Sequence, residues 1–576
     1  MQTLERPAVI DEPVEVVRAR RSLPWADIAA VVTYLGMGVV LIRGFLGDPR
    51  GRITSYLDVD HTWFQWLLAH GAHSVRHLSN PLVSDRQNAP DGVNMIANTS
   101  VLGVTIPLAP ITLIFGAAVA YLVWMVLATA GTALTTYWVL SRHTSAPAVG
   151  ALLAGAFAGF APGVVYHANG QPNFVSNMLV PILLWRVAVL GRDGRWLRDG
   201  LVLGALVTWQ LFINEEVLLV TALSCGVAVI CRLAMDRPGA TARGGDFLRA
   251  LGVTALLATA LCAYPIWYQF TGPGSFHGMP YFNDWGEDPL TWFSFARGTI
   301  AGDPSQLPIA PTDIEQNSWY GWPLMLVTGL LLVLMRRSVH VRTAGWIMLI
   351  FTVLSLGPEL RFGGETGLPG PLSVFPDDTP IVNMMLPSRL IYATTGAITL
   401  LIALGWSRQA VVKVLIAAAL LPLIPTPIQT KPDAPVPEFI TSGAWRTWVP
   451  EGRTLVPVPI ADNPTGREAQ TWSAVALHEF AMPEGYFIGP SAADGSGQFG
   501  PMHRSHLTGL VHTTLGSGVA PEVTDADREL VRADLTHWRA SVVVIRETPE
   551  REQLRVLMER LLGPAARDRG VWLWRV

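Results

Sequence analysis

The sequence predicts an α-helical polytopic membrane protein of about eleven transmembrane helices, followed by a C-terminal extracytoplasmic α/β domain. Three observations predict it. Hydrophobic residues make up 50% of the 576-residue chain and charged residues only 15%, against about 25% charged in an average soluble domain. The mean hydropathy is +0.35. The apolar residues are gathered into runs of membrane-spanning length up to about residue 425, and the composition changes after it.

The first 25 residues read as a cytoplasmic tail carrying Arg18, Arg20 and Arg21. Residues 26–45 are apolar, and about 20 helical residues cross a hydrocarbon core of about 30 Å. No small-residue cleavage site follows, so this run reads as a retained first helix. Further spans are expected at 117–140, 147–166, 173–190, 200–213, 215–233, 248–270, 321–335, 343–357, 386–406 and 412–425. Arginine placement orients them. Arg142, Arg192, Arg195, Arg198, Arg232, Arg237, Arg243, Arg249, Arg336, Arg337, Arg342 and Arg408, with Lys413, lie in short connections, which reads as cytoplasmic. The long connections 46–100, 271–320 and 358–385 then face outward. This alternation holds only if 101–115, interrupted by Pro107 and Pro110, is re-entrant or tilted.

Residues 26–425 therefore form the transmembrane domain, with outer loop 46–100. Residues 426–439 read as a Pro-rich linker, and 440–576 as the extracytoplasmic α/β domain. RTLVPVPI, ASVVVIRE and GVWLWRV read as strands, and 525–539 and 549–562 as helices. The reading puts the chain in the plasma membrane, multi-pass, N-terminus inside and C-terminus outside. The net charge of −3 argues against a nucleic-acid partner. Cys225, Cys231 and Cys262 lie in apolar runs with no metal-ligand spacing.

The most informative segment is the first outer loop. Asp58 and Asp60 precede an amphipathic stretch, 60–78, with Phe64, Leu67, Leu68 and Val75 on one face and His61, Gln65, His73 and Arg76 on the other. Such a helix is expected to lie in the membrane interface. A carboxylate there is partly desolvated and therefore more basic, as a general base for a hydroxyl must be. The competing reading is that Asp58 or Asp60 caps the helix. The pair leaves a divalent ion open, but nothing else indicates one, and no cofactor is expected.

The segment DHTWFQWLLAHGAHSVRHLSNPLVSDRQNAPDGVNM is similar to a group of actinobacterial membrane proteins described as glycosyltransferases. An acidic residue at the exit of the first span, two interfacial helices in the first outer loop, about eleven spans and an outer C-terminal domain resemble the GT-C superfamily of integral-membrane glycosyltransferases. Its members include protein mannosyltransferases, aminoarabinose transferases and mycobacterial arabinosyl- and mannosyltransferases. The resemblance covers about 26–425. It implies a GT-C-like fold, with Asp60, or Asp58 as alternate, as the catalytic base. It implies a polyprenyl-phosphate sugar donor reached from the bilayer. The acceptor would be a cell-envelope glycan, lipid or protein, and the transfer inverting. The donor phosphate calls for cations. Arg389, where an outer loop re-enters the membrane behind Pro387, is the first choice, with Arg361 and Arg297 behind it. A snorkelling arginine is the bland alternative for Arg389.

Two other polar sites fall on outer tips. Asn214, Glu215 and Glu216 interrupt the apolar stretch Leu201–Cys231 and read as the tip of a helical hairpin. His167, Asn169, Gln171 and Asn173 form another tip, which offers hydrogen bonds to a sugar but is also an ordinary polar turn. His61, Glu215, Glu216, His167 and Gln171 are accordingly the substrate-binding candidates. The tryptophans of loop 271–320 read mainly as interfacial anchors. A lipid-linked sugar flippase or a non-catalytic scaffold are the alternatives. A flippase predicts mid-bilayer ion pairs and symmetry between halves, and the sequence displays no such repeat.

Overall fold

The computed structural model describes residues 24–576 except 100, 238–240, 242–243, 280–284, 304, 306–308, 311–314, 377–378, 380 and 463–464. The N-terminal tail with Arg18, Arg20 and Arg21, and Arg243, lie outside the described residues.

Helices follow the apolar runs. Five are long and apolar enough to cross a membrane: Ala117–His143, Ala148–His167, Glu215–Met235, Gly244–Thr271 and Pro387–Gly405. Five shorter apolar helices are Trp25–Leu41, Val180–Val189, Trp322–Leu334, Val339–Leu354 and Ala410–Leu423. Helices this short fall below the roughly 20 residues a straight span needs, so length supports fewer crossings than the eleven expected. The run at 200–213 becomes the helix Trp196–Leu211, whose first turn holds Asp199; Asp199 accepts from Arg186 at 2.6 Å. Leu256, Leu261 and Trp267 on Gly244–Thr271, and Ile230 and Leu233 on Glu215–Met235, are exposed. Apolar side chains on those outer faces suit lipid, whereas Ala117–His143 is packed between Trp25–Leu41, Ala148–His167 and Val180–Val189.

The 101–115 run is broken, as its prolines require, into Leu102–Thr105 and Ala109–Phe115. Both pieces pack beside the helix Asp58–His77, which we term the loop helix. That helix corrects one expectation. It does not lie in an interface with a wet polar face: His61 to Ala69 are buried but for Gln65, and so are His70 and His73. One side packs on Ala117–His143 and the other on the helix Arg467–Val475 of the C-terminal region. Amphipathicity marks a two-sided helix; it does not say whether water or protein covers the polar side.

The C-terminal region holds a four-stranded sheet. Ala540–Arg546 lies at its centre, parallel to Thr454–Pro457 and antiparallel to Val571–Arg575, with Ala566–Asp568 at the edge. The continuous apolar run Val542–Ile545 is buried on both faces, as expected where helices cover a sheet. One face carries Val456, Val543, Ile545 and Leu557; the other carries Leu455, Val542, Val544 and Trp445. Asp525–His537 opens with a capping box in which Thr524 and Asp527 satisfy each other's backbone donors.

The stretch read as a linker is partly sheet. Thr430–Pro432 pairs antiparallel with Arg52–Thr54, just ahead of the loop helix. The residues following that helix are bound to the C-terminal region as well. Asn88 N donates to Glu484 O at 2.7 Å, and Asn98 exchanges two bonds with the backbone of Ile488. The first loop and the C-terminal region thus form one packed body.

Candidate functional site

Asp60 stands in the first turn of the loop helix, where the helix dipole favours a negative charge. The helix N-cap is Leu57 and no side chain caps it, so neither aspartate is committed as a cap. Asp60 Oδ1 accepts from the Tyr486 hydroxyl at 2.7 Å. Its Oδ2 accepts from Gln171 Nε2 at 2.8 Å. The residue keeps part of its surface accessible. Burial raises its carboxyl above the ordinary carboxylate value; the bonds from Gln171 and Tyr486 and the charge of Arg389 oppose that rise without cancelling it.

Gln171 reaches Asp60 because Gly170 lies directly against Leu57. A Cβ at Gly170 would stand 2.5 Å from Leu57 O, so this close approach requires glycine. The other end of the Gln171 amide continues inward. His167 Nδ1 lies 2.6 Å from Gln171 Oε1, and His167 Nε2 lies 2.7 Å from Asn317 Oδ1. Asn317 Nδ2 donates to Glu315 Oε2 at 2.6 Å. Glu315 Oε1 accepts from Arg389 Nη2 at 2.6 Å and Nε at 3.1 Å, while Arg389 Nη1 donates to Glu216 Oε2 at 2.9 Å. The guanidinium also lies 4.1 Å from the centre of the Phe174 ring. His167, Glu315 and Asn317 are buried. Burial alone would raise Glu315, yet Arg389 and His167 hold it down to about 2.

Asp60, Gln171, His167, Arg389 and Glu216 are therefore brought together through one hydrogen-bonded chain. Arg389 lies within a short 3₁₀ turn opened by Pro387, as the sequence suggested, but its fork is engaged by two carboxylates. That pairing corrects the picture of a guanidinium waiting for a phosphate.

The remaining candidates stand elsewhere. Asp58 is paired with Lys431 at 2.8 Å and with Arg467 at 3.7 Å. Its charge is already matched, which suits it less to a base. Arg467 also donates to Asp433 at 2.7 Å. His61 is a further correction: its ring packs 4.2 Å from Tyr121 and 5.6 Å from Phe45, and Nε2 lies 2.7 Å from Gln65 Nε2. Burial and then Arg467 push it down to about 3, so it is a neutral core ring rather than a substrate contact. Glu215 accepts from Gln269 Nε2 at 3.0 Å and does not join the Arg389 chain as its neighbour Glu216 does. Arg361 stands on an outlying hairpin of Glu359–Phe362 and Glu365–Pro369. Arg297 stacks over Tyr56 at 4.4 Å, and no carboxylate pairs with it among the described residues. With Tyr56, Asn169 and Gln429 it lines a small cavity of about 20 Å³.

Sequence reasoning missed Glu315, Asn317, Tyr486, Lys431 and Arg467. The polar run Glu315–Ser318 ahead of Trp319 was a legible signal, since all four are buried; Trp319 is itself fully buried, not an interfacial anchor. Tyr486 and Lys431 gave no signal, because only the docking of the C-terminal region places them. Glu287 and Asp288 are also buried. Asp288 accepts from the backbone of Leu290 and of Gly364, both at 2.9 Å. Glu287 accepts from Thr291 and Ser318, both at 2.9 Å, and burial pushes it up to about 8. Among the described residues no group of three or more His, Cys, Asp or Glu is arranged to hold a metal ion.

Fold and site together define a helical protein with membrane-length apolar helices, whose C-terminal region closes over a carboxylate at the start of a loop helix. No protein-family model matches the chain, and no curated protein matches it. Among solved structures it is similar to an oligosaccharyltransferase of Archaeoglobus fulgidus. The apo form shares 10% identity at a TM-score of 0.47, over 94% of this chain and 72% of that one. The same archaeon's oligosaccharyltransferase AglB, in complex with an inhibitory peptide and a dolichol-phosphate, gives 10% and 0.44 over 94% and 71%. A form tethered to an acceptor peptide gives 12% and 0.46 over 94% and 71%.

Proposed function

We propose that this chain is a plasma-membrane glycosyltransferase of the GT-C type. It moves a sugar from a polyprenyl phosphate to a cell-envelope acceptor on the outer face, where loop 46–100 and the C-terminal region lie. The observation that carries the proposal is Asp60: accessible, raised by burial, and held by neutral donors on both oxygens. Glu315 has the opposite setting and is too weak a base.

In this reading the acceptor hydroxyl takes the place of one neutral donor on Asp60. Asp60 accepts its proton as the oxygen attacks the anomeric carbon from the face opposite the phosphate. The carbon–oxygen bond to the phosphate breaks, and the lipid phosphate leaves with the electron pair, so the anomeric configuration inverts. A phosphate needs no acid to leave, but its charge needs a cation. Arg389 is held by Glu315 and Glu216, so the role passes to Arg297, stacked on Tyr56 and with no carboxylate partner among the described residues. Arg389 then positions: through Glu315, Asn317, His167 and Gln171 it fixes the amide that faces Asp60. The scheme calls for no metal ion.

The test is transfer from radiolabelled polyprenyl-phosphate sugars by purified protein. Wild type is expected to transfer and Asp60→Asn to fail. Equal rates in the two remove Asp60 as the base. Arg297→Ala is expected to raise the KM for donor about tenfold, with the acceptor KM unchanged.

A further inference from the structure

A second cleft lies at the far end of the loop helix. Its volume is about 550 Å³, within the range of small-molecule sites. The loop helix supplies His70, His73 and His77; the turn after it supplies Asn80, Asp85 and Arg86; the C-terminal region supplies Glu451 and Glu479. Val83 is the one apolar residue in its lining, so polar side chains and imidazole rings dominate it.

The hydrogen-bonding capacity at this cleft is not used up. His70, 3% exposed, spends Nε2 on Pro81 O at 3.0 Å, while its Nδ1 has no partner among the described residues. Just behind it, His478 is fully buried, with neither ring nitrogen bonded among the described residues; its ring centre lies 6.1 Å from that of His70 and 6.2 Å from that of His73. Buried polar atoms are nearly always satisfied. Unsatisfied ones beside a cleft of ligand size point to what the cleft takes.

The lining also says what kind of ligand. It mixes acceptors (Asp85, Glu451, Glu479) with donors (Arg86, Asn80). A phosphate or carboxylate only accepts and an ammonium only donates, whereas a hydroxyl does both. Glu479 is paired with Arg76 at 3.0 Å and Asp85 with Arg86 at 3.1 Å, so the guanidiniums at the cleft are already engaged and Glu451 adds negative charge; an anion is disfavoured. Burial also pushes His70 down to about 4 and lowers His73, so neither ring adds positive charge near neutral pH. No three ligating groups among the described residues converge on a metal ion.

We propose that this cleft is a second carbohydrate site, which binds the distal sugars of a neutral acceptor oligosaccharide. The word acceptor rests on the glycosyltransferase reading; the sugar-binding part does not. One rigid helix joins the two sites, and at about 1.5 Å per residue His73 lies about 20 Å from Asp60. A single sugar cannot reach both; an extended glycan can.

The test uses the full chain in nanodiscs and saturation-transfer NMR. The probes are linear mannohexaose, maltohexaose and an arabinofuranosyl hexasaccharide. At least one is expected to bind. Ser79→Trp, which fills the cleft from its exposed rim, and Glu451→Ala are expected to weaken binding about tenfold, while Asp60→Asn leaves it intact. The proposal is overturned if none binds, if both cleft variants bind as wild type does, if Asp60→Asn abolishes binding, or if inorganic phosphate displaces the sugar. In the transfer assay Ser79→Trp should raise the KM for the bound hexasaccharide as acceptor about tenfold and leave a simple monosaccharide glycoside unaffected. Binding without any transfer sinks the enzyme reading alone; transfer without cleft binding sinks this proposal alone.

Discussion

Asp60 and Glu315 are carboxylates tied into the same hydrogen-bonded chain, yet their surroundings differ in one respect. Glu315 faces the Arg389 guanidinium and is held down to about 2. Asp60 faces an amide and a phenol, and burial raises it. Removing a charge from water has to be offset by a counter-charge or by a proton. Where a guanidinium offsets it, the pair locks the fold and the acid is chemically idle. Where neutral donors do so in part, the carboxylate stays basic. Linkage gives the two acids opposite signs. Glu315 contributes stability that is present above the unfolded carboxyl value and lost as pH falls toward about 2. Asp60 contributes most when protonated, and that contribution is lost as pH rises through its raised value. Holding Asp60 ionised therefore costs stability, as functional groups often do.

The strongest way to break this comparison is Asp60→Asn. It keeps an acceptor and a similar shape and removes a partly desolvated charge, so thermal unfolding in detergent near neutral pH should hold or rise, while transfer should fall by about 10²–10⁴. If Glu315→Gln instead abolished transfer in a folded protein, the assignment would be reversed. Next comes Arg389→Met, which strands Glu315 and Glu216. We expect about 3–5 kcal/mol of destabilisation, read by denaturant unfolding. Glu287 sharpens the rule by showing an acid with hydroxyl partners only. Wild-type stability should fall as pH rises toward about 8 on its account. Melting curves of Glu287→Gln between about pH 5 and about pH 8 should lose that slope. The smallest effect belongs to Tyr486→Phe. It removes a donor that lowers Asp60, so the acid limb of the pH–rate profile should shift to higher pH, with about 0.5–1.5 kcal/mol lost in stability.

Much of the architecture was legible. Apolar runs marked helices such as Ala117–His143 and Gly244–Thr271, because burial in lipid or core needs only a long unbroken apolar surface. Strand Ala540–Arg546 declared itself by its β-branched run. The hairpin tip at Asn214 was readable too, and Asn214 indeed caps Glu215–Met235 by accepting from Val217 N at 3.0 Å. What failed were judgements about which polar group meets which. His61 and His73 looked like a wet face and are covered by protein. Arg389 was the first choice for the donor phosphate and is doubly paired. Arg297, ranked behind it, has no carboxylate partner among the described residues.

Composition and periodicity settled where the helices and strands form, since both depend on contacts a few residues apart and on the total apolar surface. They also put a carboxylate at the start of the loop helix. Only the tertiary structure decided that Tyr486, more than four hundred residues away in sequence, would share that carboxylate with Gln171. The reason is that basicity depends on the field and hydrogen bonds around a group, and those come from chain segments whose meeting no local pattern encodes.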